Sequence, residues 1–139
     1  MSPLVADLME TDVVSTDAGK SLADVGTKLY EAGVGSVIAR SGKGVPIGIL
    51  TPQDLLRAIA EADRPLTDIP AEEYMSRPLL TIESDRPVRS AVRQMNEADV
   101  EQLAIVTEFD VVGIISQKDV LAAYESLIKA AHAAERRRI

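Results

Sequence analysis

The chain has no cysteine, no tryptophan and a single histidine, His132. Without cysteine it forms no disulfide bond and offers no thiolate nucleophile, and with one histidine it lacks the parts of common nucleophilic triads and zinc sites. No stretch approaches the roughly 20 apolar residues of a membrane-spanning helix. The start of the chain, Met1 to Leu4, lacks the charged and apolar regions of a signal peptide. We therefore expect a cytoplasmic protein that is not an enzyme and has no membrane or metal partner.

Aromatic residues and excess positive charge are also scarce. Aromatics make up 3% of the 139 residues against 46% for all hydrophobic types, so the core is expected to be aliphatic. The formal net charge is −7, which argues against a nucleic-acid partner because phosphate backbones are held by clustered lysine and arginine. The one basic run, Arg136 to Arg138, is expected to close a helix favourably against its dipole.

The sequence contains an internal repeat. Residues 48–54, Gly-Ile-Leu-Thr-Pro-Gln-Asp, return as residues 113–119, Gly-Ile-Ile-Ser-Gln-Lys-Asp, with a shift of 119 − 54 = 65. Earlier in each copy the shift is 66, as for Met9 and Met75 (75 − 9 = 66). Similarity at a fixed period marks two copies of one supersecondary unit.

Each copy predicts the order strand–helix–strand–strand–helix, an α+β fold class. We predict strands at 13–15, 35–39, 45–50, 79–81, 102–106 and 111–115. The first helix of each copy is expected to begin with a Ser21–Asp24 capping box and with Pro87 as its first residue, and the closing helices to begin near Pro52 and Gln117. The last helix is expected to bury an apolar face formed by Val120, Leu121, Tyr124, Leu127 and Ile128.

These elements divide the chain into four parts. Residues 4–61 form the first predicted domain, 62–70 a linker, 71–126 the second domain, and 127–139 a helical extension. Neither half buries much surface alone, so we expect the two sheets to pack on one another.

Each repeated motif places a hydroxyl residue and an aspartate at the junction of a strand and a helix. Backbone N–H groups point outward at a helix N-terminus and suit a phosphate. A carboxylate accepts two hydroxyl donors at once, as neighbouring ribose oxygens require. The same spacing, in Thr51–Asp54 and Ser116–Asp119, also has the form of a capping box that only starts a helix.

The whole pattern resembles a tandem pair of CBS (cystathionine-β-synthase-type) domains. The resemblance covers roughly residues 4–126 and is carried by Met9, Met75, Ser15, Thr81 and the two glycine–hydroxyl–aspartate motifs. It implies a stand-alone regulatory module in which paired domains lie about a pseudo-twofold axis, bind adenosine derivatives such as AMP, ADP, ATP or S-adenosylmethionine in clefts, and form a homodimer. Four positions depart from the family pattern. Gln53 and Lys118 stand where a second hydroxyl residue is common, and Ile38 and Ala104 stand where a proline is often found in the second strand.

The resemblance also implies ligand-binding residues. In the first copy these are Val13, Val14, Ser15, Thr51 and Asp54. In the second copy they are Leu80, Thr81, Val100, Ser116, Lys118 and Asp119. In each copy the aspartate is expected to bind ribose, the hydroxyl residue that ends the last strand to contact phosphate, and the hydroxyl residue of the first strand to lie near the base, with AMP or ATP as ligand.

Two functions follow as hypotheses. The first is a regulatory module that binds an adenine nucleotide and signals to a partner protein whose identity the sequence does not give. The alternative is a structural adaptor that dimerises and binds a partner protein without nucleotide. In the first hypothesis Lys118 favours the second site, because it adds positive charge beside Ser116 and Asp119.

Overall fold

The computed structural model describes residues 3–137, without the side chains of residues 127, 131 and 134–137. Arg138 of the basic run and the side chain of Leu127 therefore lie outside the described part. The chain divides into two compact units. The central unit is Asp12–Leu80, and the outer unit combines Met1–Thr11 with Thr81–Ile139.

The central unit contains one three-stranded sheet and two helices. Its elements are β1 (Ser15–Asp17), α2 (Leu22–Ala32), β2 (Val37–Arg40), β3 (Pro46–Leu50) and α3 (Pro52–Glu61), after a short helix α1 (Val5–Leu8) of the outer unit. Strand β2 lies in the middle of the sheet, parallel to β1 and antiparallel to β3. Two short 3-10 turns, Leu66–Asp68 and Ala71–Glu73, follow α3.

The core of the central unit is aliphatic, as the composition predicts. Helix α2 buries Leu22, Val25 and Leu29 against the sheet residues Val37 and Leu50. The segment predicted as a linker also contributes to this core, because Ile69 is fully buried in it. A backbone hydrogen bond holds Ile69 beside α2, since the N–H of Leu22 donates to the carbonyl of Ile69 at 2.8 Å.

The outer unit repeats the arrangement. Its elements, besides α1, are β4 (Thr81–Glu83), α4 (Val88–Ala98), β5 (Gln102–Thr107), β6 (Asp110–Ser116) and α5 (Gln117–Arg137). The sheet order is β4-β5-β6, with β4 parallel and β6 antiparallel to β5. The α+β fold class and the order of elements in both copies are confirmed.

The segment that precedes each first strand joins the sheet of the other copy. Glu10, from the first copy in sequence, exchanges two backbone hydrogen bonds of 2.8 and 2.9 Å with Ile114 of β6. In the same way Ser76 exchanges bonds of 2.9 and 3.1 Å with Ile49 of β3. The compact units are therefore cut at different points from the sequence repeats.

Several predicted element starts differ from the structure by one or two residues. Strand β2 begins at Val37, two residues later than predicted. Strands β1 and β4 begin at Ser15 and Thr81, two residues later than predicted. Their pairing with the middle strand starts at these residues and extends to Asp17 and Glu83, beyond the end of the predicted strands. Pro87 is the N-cap residue of α4, with extended backbone, and the helix begins at Val88.

The predicted buried face of α5 is wrong for three of its members. Leu121, Tyr124 and Ile128 are exposed, with 62%, 60% and 39% of their surface accessible. The physical reason is that the elements of its own unit that pack on α5, β6 and the short helix α1, leave these three side chains uncovered. An apolar stripe in the sequence identified the helix correctly but not what covers it.

Candidate functional site

The sheet topology brings the predicted site residues of each unit to one end of the sheet. Strand β3 is antiparallel to β1, so the last residues of β3 and the first residues of β1 lie at the same end of the sheet. Val37 pairs with Leu50 there, and Ser15 pairs with Ile38. Ser15 and Thr51 are thus separated by two strand spacings, about 10 Å. In the outer unit Thr81 and Ser116 are related in the same way.

The helix start after β3 is capped by Asp54. The N–H of Thr51 donates to Asp54 Oδ2 at 2.8 Å, and the N–H of Asp54 donates to the backbone carbonyl of Thr51 at 3.0 Å. Pro52 stands at the first helical position, where its missing N–H costs nothing. Asp54 therefore does cap the helix in this structure, and one of its carboxylate oxygens already accepts a hydrogen bond.

Burial and a nearby cation act in opposite directions on Asp54. The residue is only 6% exposed, and desolvation raises the pKa of its carboxyl above the ordinary value, partly offset by hydrogen bonds from Thr51 and by the charge of Arg57. Arg57 Nη2 lies 3.6 Å from Asp54 Oδ1. The second carboxylate oxygen thus faces a guanidinium that favours its ionised form.

Arg57 also links helix α3 to the segment around Tyr74. Its Nη2 donates to the carbonyl of Tyr74 at 2.9 Å, and its guanidinium carbon lies 5.2 Å from the centre of the Tyr74 ring. The outer unit cannot make this contact, because Ala122 occupies the position equivalent to Arg57 (122 − 57 = 65).

The outer unit has the matching helix start with a different hydroxyl geometry. Ser116 donates both its N–H and its hydroxyl to Asp119 Oδ2, each at 2.9 Å, and accepts from the Asp119 N–H at 3.2 Å. Asp119 is half-buried, and Lys118 beside it is exposed. Lys118 makes no ion pair with any side chain that the structure describes, so its charge can interact with a ligand at this end of the sheet.

The side chains that bind the first strand of each unit differ in charge. The hydroxyl of Ser15 accepts from Arg40 Nε at 3.1 Å, and its carbonyl accepts from Lys28 Nζ at 3.0 Å. At the equivalent Thr81, the carbonyl accepts from the neutral amide of Gln94 at 2.9 Å. Sequence reasoning missed Lys28 and Arg40, because no local motif signals a contact made over 13 or 25 residues. It also missed Arg57, although a spacing of i,i+3 from Asp54 on a helix is a local signal for a charge pair.

The apolar residues expected beside the base are half-buried. Val13 and Val14 precede β1, Leu80 precedes β4, and Val100 precedes β5. Partial exposure is what a wall of a binding slot requires. By contrast Val37 and Leu103, on the middle strands, are 0% and 1% exposed and belong to the cores of their units.

Each helix start offers a carboxylate and a hydroxyl residue as hydrogen-bonding groups. No group of three or more histidine, aspartate or glutamate side chains able to hold a metal ion occurs in the part of the chain that the structure describes. Of the helices between residues 3 and 137, none combines the length and apolar character needed to cross a bilayer.

Among curated proteins, an uncharacterized protein of Methanopyrus kandleri is 29% identical over 125 residues, which cover 89% of this chain and 64% of that protein. Among solved structures, the CBS domain pair of protein MJ0100, in complex with 5′-methylthioadenosine and S-adenosyl-L-methionine, has a TM-score of 0.81 at 21% identity, covering 91% of this chain and 98% of the other. A CBS domain protein from Pyrobaculum aerophilum complexed with AMP has a TM-score of 0.76 at 22% identity, covering 84% and 89%. At these identities the two structures show the fold alone.

Two segments of the chain, residues 5–61 and 71–126, match the CBS domain family. They include both strand ends and both aspartate-containing helix starts, and they confirm the resemblance drawn from the repeat. The chain therefore belongs to the CBS domain family and carries two CBS domains.

Proposed function

We propose that this protein is a non-catalytic regulatory module that binds an adenosine derivative at each of two sites and signals its occupancy to a partner protein. One site is formed by Val13, Val14, Ser15, Thr51 and Asp54. The other is formed by Leu80, Thr81, Val100, Ser116, Lys118 and Asp119. AMP or ATP is the proposed ligand, and the cytoplasm the proposed location.

A single observation carries this proposal: each unit presents a hydroxyl–aspartate helix start and a hydroxyl residue of the first strand at the same end of its sheet. A spacing of two strands, about 10 Å, suits a nucleoside whose sugar lies at the helix start and whose base lies at the first strand. A capping role alone accounts for the aspartate but not for the matched strand residue in both units.

The contacts within each helix start also suggest how a ligand binds. In the outer unit the Ser116 hydroxyl donates to Asp119, so a ribose hydroxyl that replaces this donor leaves Ser116 free to donate to a phosphate. In the central unit Asp54 accepts from the Thr51 N–H through Oδ2, and its Oδ1 faces Arg57 and is the acceptor offered to ribose. In both sites the aspartate keeps its backbone cap while it binds sugar.

The test is a thermal-unfolding panel with AMP, ADP, ATP and S-adenosylmethionine, with adenine-free ribose 5-phosphate as control. A ligand at about 100 times its dissociation constant adds roughly 2.7 kcal/mol to the free energy of unfolding. A stabilisation by at least one adenosine derivative that exceeds the effect of ribose 5-phosphate is expected. Equal unfolding temperatures across the whole panel would refute nucleotide binding.

Both the regulatory module and the alternative, an adaptor that binds protein and no nucleotide, are expected to dimerise, and one observation supports a dimer. Large apolar side chains are exposed on the closing helix of each unit: Leu56 and Ile59 on α3, Leu121 and Tyr124 on α5. We propose a second copy of this chain as the occupant, because equivalent apolar faces on two repeats suit a self-complementary interface. Sedimentation equilibrium of Leu56→Glu and Leu121→Glu is expected to show weakened dimers, and a wild-type monomer at all concentrations would contradict it.

A further inference from the structure

A polar groove lies between β4 and α4 of the outer unit, with a volume of about 520 Å³. It is lined by Arg86 and Arg93, by Glu83 and Glu97, and by Ser90 together with Ile82 and Gln94. The helix-start residues of the proposed nucleotide site do not line it. The groove is therefore a separate feature, and a ligand can occupy it whether or not a nucleotide binds at the helix starts.

The central unit fills the same position with its own carboxylate. Asp24 is the repeat equivalent of Ser90, since 90 − 24 = 66. Its Oδ2 accepts from the hydroxyl of Thr16 at 3.3 Å and lies 3.8 Å from Lys28 Nζ. Lys28 in turn donates to the carbonyl of Ser15. An anion, a hydroxyl and a cation thus satisfy one another between strand and helix.

The outer unit has lost this internal anion. Ser90 stands in place of Asp24, Ile82 in place of Thr16, and Gln94 in place of Lys28. Only the contact to the strand is kept, through the hydrogen bond from Gln94 to the carbonyl of Thr81. The position that holds a carboxylate in one unit therefore holds only a short hydroxyl in the other.

Two arginines stand near the position from which the carboxylate is missing. Arg93 replaces Thr27 of the first copy and Arg86 replaces Lys20, while Gln94 replaces Lys28, so the number of cationic side chains at these positions stays at two and only the carboxylate is lost. Arg86 Nη2 lies 3.5 Å from the hydroxyl of Ser90. Over residues 3–137, neither arginine forms an ion pair, although Glu83 and Glu97 line the same groove.

We propose that this groove binds a small oxyanion, a phosphate or carboxylate group, which Arg86, Arg93 and Ser90 hold in place of the carboxylate that Asp24 supplies in the central unit. Guanidinium groups match both kinds of oxyanion through paired N–H donors, and the serine hydroxyl adds a third donor. Glu83 and Glu97 repel additional negative charge, so the site selects a single compact anionic group over an extended polyanion.

The experiment is an NMR titration of the ¹⁵N-labelled full chain with inorganic phosphate, with sodium chloride adjusted to keep ionic strength constant. The amide signals of residues 82–97 are expected to shift with saturation. A parallel titration with acetate distinguishes the source of the anion: tighter phosphate binding indicates a phosphorylated ligand, and comparable binding indicates a carboxylate. Either result supports an oxyanion site.

Two variants and one control make the test specific. Ser90→Asp restores the internal carboxylate of the first copy and is expected to weaken phosphate binding in the groove at least tenfold without loss of stability, since an acidic residue in the first turn of a helix is favourable. Arg93→Gln is expected to weaken it about tenfold, the loss typical of a hydrogen bond to a charged group. Ser116→Ala, at the proposed nucleotide site, is expected to leave the groove signals unchanged.

Wild-type binding retained in both Ser90→Asp and Arg93→Gln would overturn the proposal. So would the absence of saturable shifts at residues 82–97 in the wild-type protein. A shift confined to signals near Ser116 and lost in Ser116→Ala would also overturn it, because phosphate would then bind at the helix start alone.

Discussion

The sulfur of Met75 lies against Gly48, so that a Cβ at this glycine would stand 2.7 Å from Met75 Sδ. The same glycine faces the carbonyl of Ser76, which a Cβ would approach to 2.9 Å. Met9 and Gly113 repeat the relationship at 2.5 Å in the outer unit. The glycine of each repeated motif is thus required by the close approach of the segment that pairs with its strand.

Gly48→Ala is expected to destabilise the protein by about 1–3 kcal/mol, because the added methyl group forces Met75 and its backbone away from β3. Gly113→Ala is expected to act in the same way through Met9. Chemical denaturation measures both. Gly42→Ala is the matched control, since a Cβ there meets nothing within 4 Å; equal stability of all three variants would contradict the packing argument.

Ile69→Ala is expected to cost about 2–5 kcal/mol in the free energy of unfolding, the range for removing a large aliphatic side chain from a core. A residue in a flexible linker would cost almost nothing. Val45→Ala is the control, because Val45 is 53% exposed and lies outside the proposed dimer face. Similar denaturation midpoints for Ile69→Ala and wild type would show that residues 62–70 act only as a linker.

Asp54 is expected to make stability depend on pH. Its pKa is raised in the folded protein by burial, so the native state holds a proton more readily than the unfolded chain, and this contribution to stability falls as the pH rises from the ordinary carboxyl range through the folded pKa. Asp54→Asn lacks this dependence. The difference in unfolding free energy between Asp54→Asn and wild type should therefore move in favour of the variant as the pH rises above the ordinary range of an aspartate carboxyl. A difference independent of pH would contradict it.

Asp54→Ala and Asp119→Ala are each expected to remove about 1.5–3 kcal/mol of nucleotide affinity at their own site, as for hydrogen bonds that involve a charged group. Calorimetry on the single and double variants separates the two sites. The site at Ser116 is expected to be the tighter one, because Lys118 forms no ion pair with a described residue. The cations of the central site, Lys28, Arg40 and Arg57, already bind protein groups. Unchanged affinity in both single variants would reject the site assignment, and preferential loss in Asp54→Ala would reverse the order of the sites.

Sequence reasoning worked where the signal is local. The helix start at Thr51 was predictable because a hydroxyl, a proline and an aspartate at that spacing satisfy the N–H groups of a first turn without any distant partner. It failed for the face of α5, where Leu121 and Tyr124 are exposed. An amphipathic pattern gives the stripe of a helix, but what packs on it depends on residues far away in the chain.

The sequence by itself determined that the protein is built from two copies of one strand–helix–strand–strand–helix unit with an aliphatic core. It also determined that in each copy a hydroxyl residue ends the last strand and an aspartate lies in the first turn of the helix that comes next. Only the tertiary structure decided which sheet receives Met9 and Met75, that Ile69 is part of a core, and that Lys28 and Arg40 converge on Ser15. The reason is physical: helix caps and strand alternation depend on interactions within a few residues. The partners of a buried or charged side chain are set by sheet pairing between segments that are distant in sequence.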